Sequence, residues 1–289
     1  MDVLTRSELL AHLGGRWALD RAVGDSWQRV LRGAYVPAAT TVDLAVRAAA
    51  VQRLLPEHAY VADRCLLWLL GVDVLPPGPP LLEVVVPTGS SLPRRQGLRA
   101  RQALLPAADR GQLAGLRAVR PVRAVADLLR LLPPVEAVVV ADAVLHAGVC
   151  SVADLLQELT RHDGLRGVRR ARAALGRADG RAESPPETRV RLWLHDAGLE
   201  PVPQYDVTDA TGRWIARVDL AFPWCRLAIE YDGLAVYGRA EAFTRDCARQ
   251  NDLVGAGWTV LRFTAADLRR PGHVVTVVRD ALLRLSAAA

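Results

Sequence analysis

The pattern of apolar and polar positions divides the 289-residue chain into two parts with different orders of elements. In the first part, helical spacing predicts helices at about 42–55, 62–70, 121–132, 134–147, 151–161 and 164–177, with strands at 81–86 and 98–104. In the last part, it predicts helix 185–197, strands 202–207, 214–222 and 227–232, helix 239–255, strand 258–263 and helix 271–285. These orders predict an α+β first part and a C-terminal α/β domain with a central mixed sheet flanked by helices.

The first 37 residues predict a small unit of their own. Residues 5–8 form a capping box that opens a helix, and Gly14 and Gly15 end it. A second short helix over 16–23 and two strand-like segments around Arg32 and Gly33 follow. Helix, turn, helix and basic hairpin is the plan of a winged helix-turn-helix. We therefore expect three domains: 1–37, a mostly helical α/β domain over 38–180, and 181–289.

The charge is basic and unevenly distributed. Residues 1–180 hold 23 Arg against 17 acidic residues, whereas residues 181–289 hold 14 of each, and the chain contains no lysine. An excess of arginine makes a polyanion the first partner to consider, and a solvated arginine-rich helix face is the alternative. The predicted nucleic-acid-binding residues lie in the winged helix and in the 161–181 stretch: Arg16, Arg21, Arg29, Arg32, Arg166, Arg169 and Arg170.

Membrane, secretory and disulfide-rich classes are not favoured. No apolar run approaches the roughly 18 residues that a membrane span needs, and the first residues lack a secretion signal. The four cysteines are far apart, which predicts buried small apolar residues rather than a zinc site or disulfides. We expect a cytoplasmic protein.

Two acids interrupt the apolar strands of the C-terminal domain. If residues 223–226 form a hairpin loop, cross-strand partners have numbers that sum to 449, and Asp219 lies opposite Glu230. Two facing carboxylates repel unless a cation lies between them, and Mg²⁺ or Mn²⁺ would fill that place. A register slip of one residue would turn one carboxylate to the other face.

Two further acids have ordinary explanations beside the chemical one. The same register places Asp232 opposite Arg217, which makes a structural ion pair an alternative to a catalytic role. Glu187 lies three residues after Ser184, which is the spacing of a capping box. A structural role at the start of the helix is therefore an alternative to a role as a third acid of the site. Asp246 and Arg249 are three apart on the long helix and are expected to pair on its surface.

The C-terminal segments 183–189, 217–221, 229–233, 246–249 and 257–264 resemble, in that order, a Vsr-like domain of unknown function. That domain belongs to the PD-(D/E)xK endonuclease superfamily. The resemblance implies a restriction-endonuclease-like fold, DNA as substrate and a divalent cation held by Asp219 and Glu230. It implies further that Glu187 is a candidate third acid. We also include Asp232 among the predicted catalytic residues, beside its alternative as the ion-pair partner of Arg217.

The N-terminal two-thirds resembles the AbiEi-like antitoxins of type IV toxin–antitoxin systems, which pair a winged helix with a mixed α/β domain. This second resemblance implies transcriptional regulation and a cognate toxin as partner. It is looser than the first and leaves the oligomeric state open.

The sequence departs from the nuclease pattern in two places. The superfamily's lysine would fall at Asp232, and the histidine of many relatives is replaced in the run 234–237 by Leu-Ala-Val-Tyr. Arginine stays protonated and cannot act as the base. Two hypotheses therefore remain: an endonuclease that activates water with its cation alone, and a non-enzymatic antitoxin-like regulator whose nuclease fold is degenerate.

Overall fold

Helices and strands are both present in each half of the computed structural model, which describes residues 3–76, 78–232 and 240–287. The chain is a mixed α and β protein with two units, Met1–Arg177 and Ala178–Ala289. The boundary lies three residues before the predicted one at 180/181, and the first unit contains the predicted domain 1–37 and residues 38–177 of the predicted domain 38–180.

The first unit begins with two helices and a small sheet. Its elements are β1 Leu4–Thr5, α1 Arg6–Leu13, α2 Arg16–Asp25, β2 Trp27–Leu31 and β3 Ala34–Pro37. The strands pair antiparallel in the order β1-β3-β2. The predicted capping box is present, because the Thr5 hydroxyl accepts from the Glu8 N–H while the Glu8 carboxylate accepts from the Thr5 N–H. Leu9, Leu19 and Tyr35 form the core between helices and sheet.

The rest of the first unit adds a second sheet and a helical layer. Its elements are α3 Leu44–Gln52, β4 Tyr60–Val61, α4 Asp63–Leu69, β5 Leu82–Pro87, β6 Leu98–Ala103, β7 Arg110–Leu113, β8 Leu116–Val119, α5 Pro121–Leu131, α6 Pro134–His146, α7 Val152–Arg161 and α8 Val168–Leu175. The sheet order is β6-β5-β4-β8-β7, with both parallel and antiparallel pairs. The sequence did not predict β4, β7 and β8, which are short or polar. Helix α8 starts later than the predicted residue 164, since Gly167 has a φ of +88° and separates it from the preceding turn.

The second unit follows the predicted order of elements. They are α9 Pro185–Asp196, β9 Val202–Thr208, β10 Trp214–Phe222, β11 Leu227–Asp232, α10 Ala240–Gly255, β12 Thr259–Thr264 and α11 Pro271–Ala287. The sheet order is β12-β11-β10-β9, with β11 and β12 parallel and the other pairs antiparallel. Between β10 and β11, residues Pro223–Cys225 form one turn of 3-10 helix, as expected for a tight hairpin loop.

Each face of this sheet is covered by helices. Leu220, Phe222 and Ile229 lie in one apolar cluster with residues of α9 and α11. Ala221 and Ala228, which alternate with them along the strands, lie in a second cluster with Leu253 of α10. Alternate residues of a strand point to opposite faces, so α10 covers the face opposite to α9 and α11. The acids of β10 and β11 therefore lie within a sheet that is covered by helices on both sides.

Two other predictions have structural outcomes. Cys65 and Cys150 are buried as predicted, whereas Cys225 and Cys247 are partly exposed. None of the described helices combines the length and the apolar composition that crossing a membrane requires.

Candidate acidic site of the C-terminal unit

Glu187 lies in the first turn of α9 and is almost fully buried, with 7% of its surface exposed. Ser184 caps the helix by accepting from the Glu187 N–H at 3.4 Å. The predicted reciprocal bond to Ser184 is wrong: the Glu187 Oε2 atom accepts instead from the Glu183 N–H at 3.0 Å and from the Gln204 Nε2 amide at 2.8 Å. Within the described residues, Oε1 of Glu187 accepts no hydrogen bond.

The predicted hairpin register is correct near the loop. Phe222 pairs with Leu227 and Leu220 pairs with Ile229, so the residue numbers of each pair sum to 449, as predicted. The ladder ends there, and Asp219 does not form the regular cross-strand pair with Glu230. Its Oδ2 atom accepts instead from the backbone N–H of Tyr231 at 2.8 Å. The carboxylate of Asp219 therefore spans the point where β10 and β11 stop pairing.

The environment of Asp219 disfavours its charged form. Burial raises the pKa of Asp219 to about 7, and the negative charge of Glu187 contributes next. The hydrogen bond from Tyr231 opposes this rise in pKa, a smaller contribution from Glu230 adds to it, and the positive charge of Arg249 again lowers the pKa. No guanidinium group forms an ion pair with Asp219 or Glu187 in the described part of the chain. A cation between these two carboxylates would stabilise both.

Glu230 has a different environment although it is 5% exposed. Arg249 of α10 donates to both of its oxygens, at 2.5 and 3.0 Å, and the Arg262 Nε lies 3.2 Å from Oε2. Both oxygens are thus occupied by charged donors. A metal ion could bind Glu230 only by displacing one of these arginines.

The same two arginines bind the acids around Glu230. Arg262 makes a bidentate pair with Asp246 at 2.6 and 2.8 Å, and Arg249 reaches Asp246 at 3.2 Å. Asp246 therefore joins the site rather than pairing only along the helix surface, as the spacing predicted. In the cluster of Glu230, Asp246, Arg249 and Arg262, each acid contacts both arginines. The two guanidinium groups therefore neutralise the buried Glu230 carboxylate without a metal ion.

The predicted pair of Asp232 and Arg217 is wrong. Arg217 pairs instead with Asp206 of β9, through bonds of 3.0 and 2.8 Å, because its register partner in the sheet is Asp206. Arg262 is the guanidinium nearest to Asp232, at 3.6 Å. Burial raises the pKa of Asp232, and Arg262 opposes that rise. The run 234–237, where the sequence lacks the family's histidine, lies outside the described residues.

Sequence reasoning missed two residues that contact the acids. Gln204 of β9 bonds Glu187, and its backbone φ of +50° departs from the extended conformation of a strand. Arg262 reaches Glu230 because parallel pairing of β12 with β11 aligns these two residues. For Arg262, the signal was a charged residue inside an apolar strand. For Gln204, nothing in the sequence predicted the positive φ.

Two of the acids keep a carboxylate oxygen that is available to a divalent cation among the described residues. Asp219 and Glu187 each keep one oxygen that accepts no hydrogen bond from described groups, and Mg²⁺ takes one or two carboxylates together with water. Glu230, the predicted second ligand, is engaged by arginine. No cluster of three or more acids, histidines or cysteines suited to a metal occurs in the described ranges. Asp219 and Glu187 are therefore the described residues that could hold a cation, with water at its other positions.

The predicted nucleic-acid-binding arginines share one property in the first unit. All seven are exposed, and none forms an ion pair with a described residue: Arg16, Arg21, Arg29, Arg32, Arg166, Arg169 and Arg170. By contrast, Arg161 pairs with Asp109 at 2.6 Å, and Arg172 pairs with Asp163 at 2.6 Å. The positive charge of an arginine without a carboxylate partner is not compensated by a neighbouring acid and is available to a phosphate.

Two of the N-terminal candidates, Arg21 and Arg29, lie beside aromatic rings. Arg21 lies 4.8 Å from the ring centre of Trp17, which is 74% exposed, and Arg29 lies 5.5 Å from that of Tyr35. Such cation–π contacts orient a guanidinium while leaving its donors available.

No model of a known protein family matches the chain. Two proteins of Mycobacterium tuberculosis are similar over most of its length: the uncharacterized protein MT2308 of strain CDC 1551 / Oshkosh and the uncharacterized protein Rv2248 of strain ATCC 25618 / H37Rv. Each is 31% identical over 258 residues, which is 85% of this chain and 89% of the relative. The chain belongs to their family.

A solved structure shows a weaker likeness. The crystal structure of the RV2827C protein from Mycobacterium tuberculosis has a TM-score of 0.34 and 18% sequence identity, covering 65% of this chain and 75% of that chain. A likeness of this size is no evidence about the function of this family.

Proposed function

We propose that this protein binds DNA and that its C-terminal unit is a phosphodiesterase dependent on Mg²⁺ or Mn²⁺. The observation that carries the proposal is the proximity of two carboxylates, the partly buried Asp219 and the buried Glu187, neither of which has an arginine partner among the described residues. Burial, and next the charge of Glu187, raise the pKa of Asp219, and carboxyl groups with pKa values shifted by burial and a neighbouring charge are concentrated at functional sites. The resemblance of the motif order to a Vsr-like domain and the observed order of helices and strands in the second unit support the same activity.

In this proposal Asp219 and Glu187 hold the cation. The bound cation would neutralise charge that develops on the phosphate during hydrolysis. Glu230 holds Arg249 and Arg262 beside the cation site, and these guanidinium groups supply positive charge in a chain without lysine. Asp232, next to Arg262, remains a candidate member of the catalytic set.

DNA binding is assigned to the first unit. Two helices followed by a basic hairpin support the predicted winged helix-turn-helix, which would place the exposed arginines of α2 and β2 near a duplex. Contacts of arginine with phosphate make affinity fall steeply with salt.

The test is cleavage of supercoiled plasmid with Mg²⁺ or Mn²⁺. We expect cleavage by the wild type and its loss in D219A and E187A. The variant D280N is the matched control, because Asp280 is an exposed acid of α11. Cleavage that survives in both D219A and E187A would overturn the assignment of the site, and intact plasmid with the wild type would overturn the activity.

A second candidate is favoured by one observation. Both oxygens of Glu230 are bound by arginine, which is the arrangement of a fold that no longer needs a metal at that residue. The chain would then be a non-enzymatic, antitoxin-like transcriptional regulator with a cognate toxin. Intact plasmid together with salt-sensitive retardation of duplex DNA would support this candidate.

A further inference from the structure

Gln204 has a backbone conformation that is rare inside a strand. Four described residues other than glycine have positive φ: Asp63, Ala114, Gln204 and Arg226. Ala114 lies in the turn between β7 and β8, Arg226 ends the 3-10 turn, and Asp63 begins α4. Gln204 alone of these lies in the interior of a strand, β9, at a φ of +50°. A non-glycine residue keeps this conformation only where surrounding interactions impose it.

The position of Gln204 in the sheet is beside Asp219. The pairs Pro203–Leu220 and Tyr205–Val218 lie on either side of the two residues, whereas Gln204 and Asp219 are absent from the ladder. On β10, Val218 belongs to the apolar cluster of α10, but Leu220 belongs to that of α9 and α11. Regular alternation would place residues 218 and 220 on one face, so β10 is irregular at Asp219. The irregularity of both strands thus coincides with the candidate cation site.

The amide of Gln204 connects this irregular point to α9. Its Nε2 atom donates to the Glu187 Oε2 at 2.8 Å, and the same oxygen accepts from the Glu183 N–H at 3.0 Å. Two donors on one oxygen fix the orientation of the carboxylate. They also leave the other oxygen, Oε1, without a bond from the described residues.

We propose that Gln204 is a positioning residue that orients Glu187 for binding a divalent cation. This inference rests on the proposed cation site of Asp219 and Glu187. The groups that hold a metal ligand by hydrogen bonds raise affinity because they fix the ligand before the metal arrives. Gln204 bonds the Glu187 carboxylate and lies on β9, the strand next to Asp219. It therefore fixes the position of Glu187 relative to the strand that carries Asp219.

The test is binding of Mn²⁺ alone, measured by calorimetry, together with the melting temperature without metal. In Q204G the amide is lost, but glycine adopts a φ of +50° without strain. Relief of the backbone strain and loss of the hydrogen bond to Glu187 change the stability in opposite directions, so we expect only a small change in melting temperature. At the same time we expect the dissociation constant for Mn²⁺ to rise about 10- to 100-fold. If Gln204 had only a structural role, the dissociation constant for Mn²⁺ would not rise in a variant whose melting temperature is nearly unchanged.

Three comparisons complete the design. The variant Q112G replaces an exposed glutamine of β7 in the other unit and should leave the dissociation constant unchanged. The variant E187Q should lose Mn²⁺ binding. If Q204G does not fold, Q204N replaces it, because asparagine tolerates positive φ and its shorter amide cannot reach Glu187 at the same distance.

The outcomes separate the two proposals. Wild-type protein that binds no Mn²⁺ would overturn the cation site and the role of Gln204 together. Wild-type binding with an unchanged dissociation constant in Q204G, or in Q204N, would overturn the role of Gln204 alone.

Discussion

The guanidinium group of Arg249 binds both carboxylate oxygens of Glu230, at 2.5 and 3.0 Å. Glu230 is 5% exposed, so removal of Arg249 leaves a buried charge with Arg262 as its remaining partner. We expect R249A to lower the free energy of unfolding by about 3 kcal/mol, since breaking one partner of a buried pair costs more than the pair contributes. Urea denaturation measures this loss.

The matched control is R217A. Arg217 and Asp206 form a bidentate pair that is half exposed, and such pairs contribute roughly 0.2–1 kcal/mol. Equal losses of stability in R249A and R217A would contradict the distinction between the buried and the exposed pair.

The raised pKa of Asp219 makes stability depend on pH. Because this pKa is about 7 in the folded protein against an ordinary value of 3.8, the folded state holds the proton more tightly than the unfolded state. The contribution of Asp219 to stability is therefore present at low pH and is lost as the pH rises from about 4 to 7. In metal-free buffer at pH 8, we expect D219N to be more stable than the wild type by on the order of 2 kcal/mol.

Denaturation of both proteins at pH 4, 6 and 8 checks this expectation. Asparagine keeps an oxygen that accepts from the Tyr231 N–H, so the stability difference between D219N and wild type does not include the loss of this hydrogen bond. The stability difference between D219N and wild type should grow with pH, and D280N should show no such trend. Parallel profiles for wild type and D219N would rule out the raised pKa.

Arg166, just before α8, and Arg169 and Arg170 in its first turn give a prediction for DNA binding. We expect the triple variant R166A/R169A/R170A to weaken binding to duplexes of any sequence. If all three contact phosphates, the slope of log affinity against log salt should become less negative by roughly 3. Fluorescence anisotropy at several salt concentrations measures the slope.

The control for this variant is R213A. Arg213 is exposed but is already paired with Asp209 at 3.0 Å, so it should not contribute to the slope. An unchanged slope in the triple variant would show that the exposed arginines are only a solvated surface.

Gly167 determines how closely α8 approaches α5. A Cβ atom at this position would lie 2.3 Å from the backbone oxygen of Arg130, and its φ is +88°. Backbone cannot move away as a flexible side chain can, so we expect G167A to destabilise the protein by about 3 kcal/mol or more. Gly164 is the control: its φ of +80° is similar, but nothing lies within 4 Å of the added atom. G164A should cost only the strain of about 1 kcal/mol, and equal melting temperatures would contradict the steric explanation.

The sequence predicted the elements of the second unit because their signals are local. The residues between Phe222 and Leu227 set the length of the hairpin loop, and the loop length sets the register near it. The same register failed at Arg217, since its partner Asp206 lies on the opposite neighbour of β10. Alternation gives the face of a residue but not which of two neighbouring strands it contacts.

The partners of the acids were less predictable. Arg262 reaches Glu230 through parallel pairing of strands that are separated by a whole helix, and no short-range pattern specifies that alignment. Gln204 adopts a conformation that its residue type disfavours, so propensity argues against it. For Glu187, the capping explanation and the site explanation used the same spacing, and only the position of Gln204 shows that its carboxylate has a second partner.

The arrangement of β11 and β12 has a consequence for biosynthesis. The ribosome makes Glu230 before either arginine that neutralises it, and Arg262 comes from the edge strand of the sheet. A nascent hairpin of β10 and β11 therefore carries a carboxylate that is too costly to bury until translation has passed residue 262. The order of synthesis thus favours completion of this sheet as a late, single cooperative step.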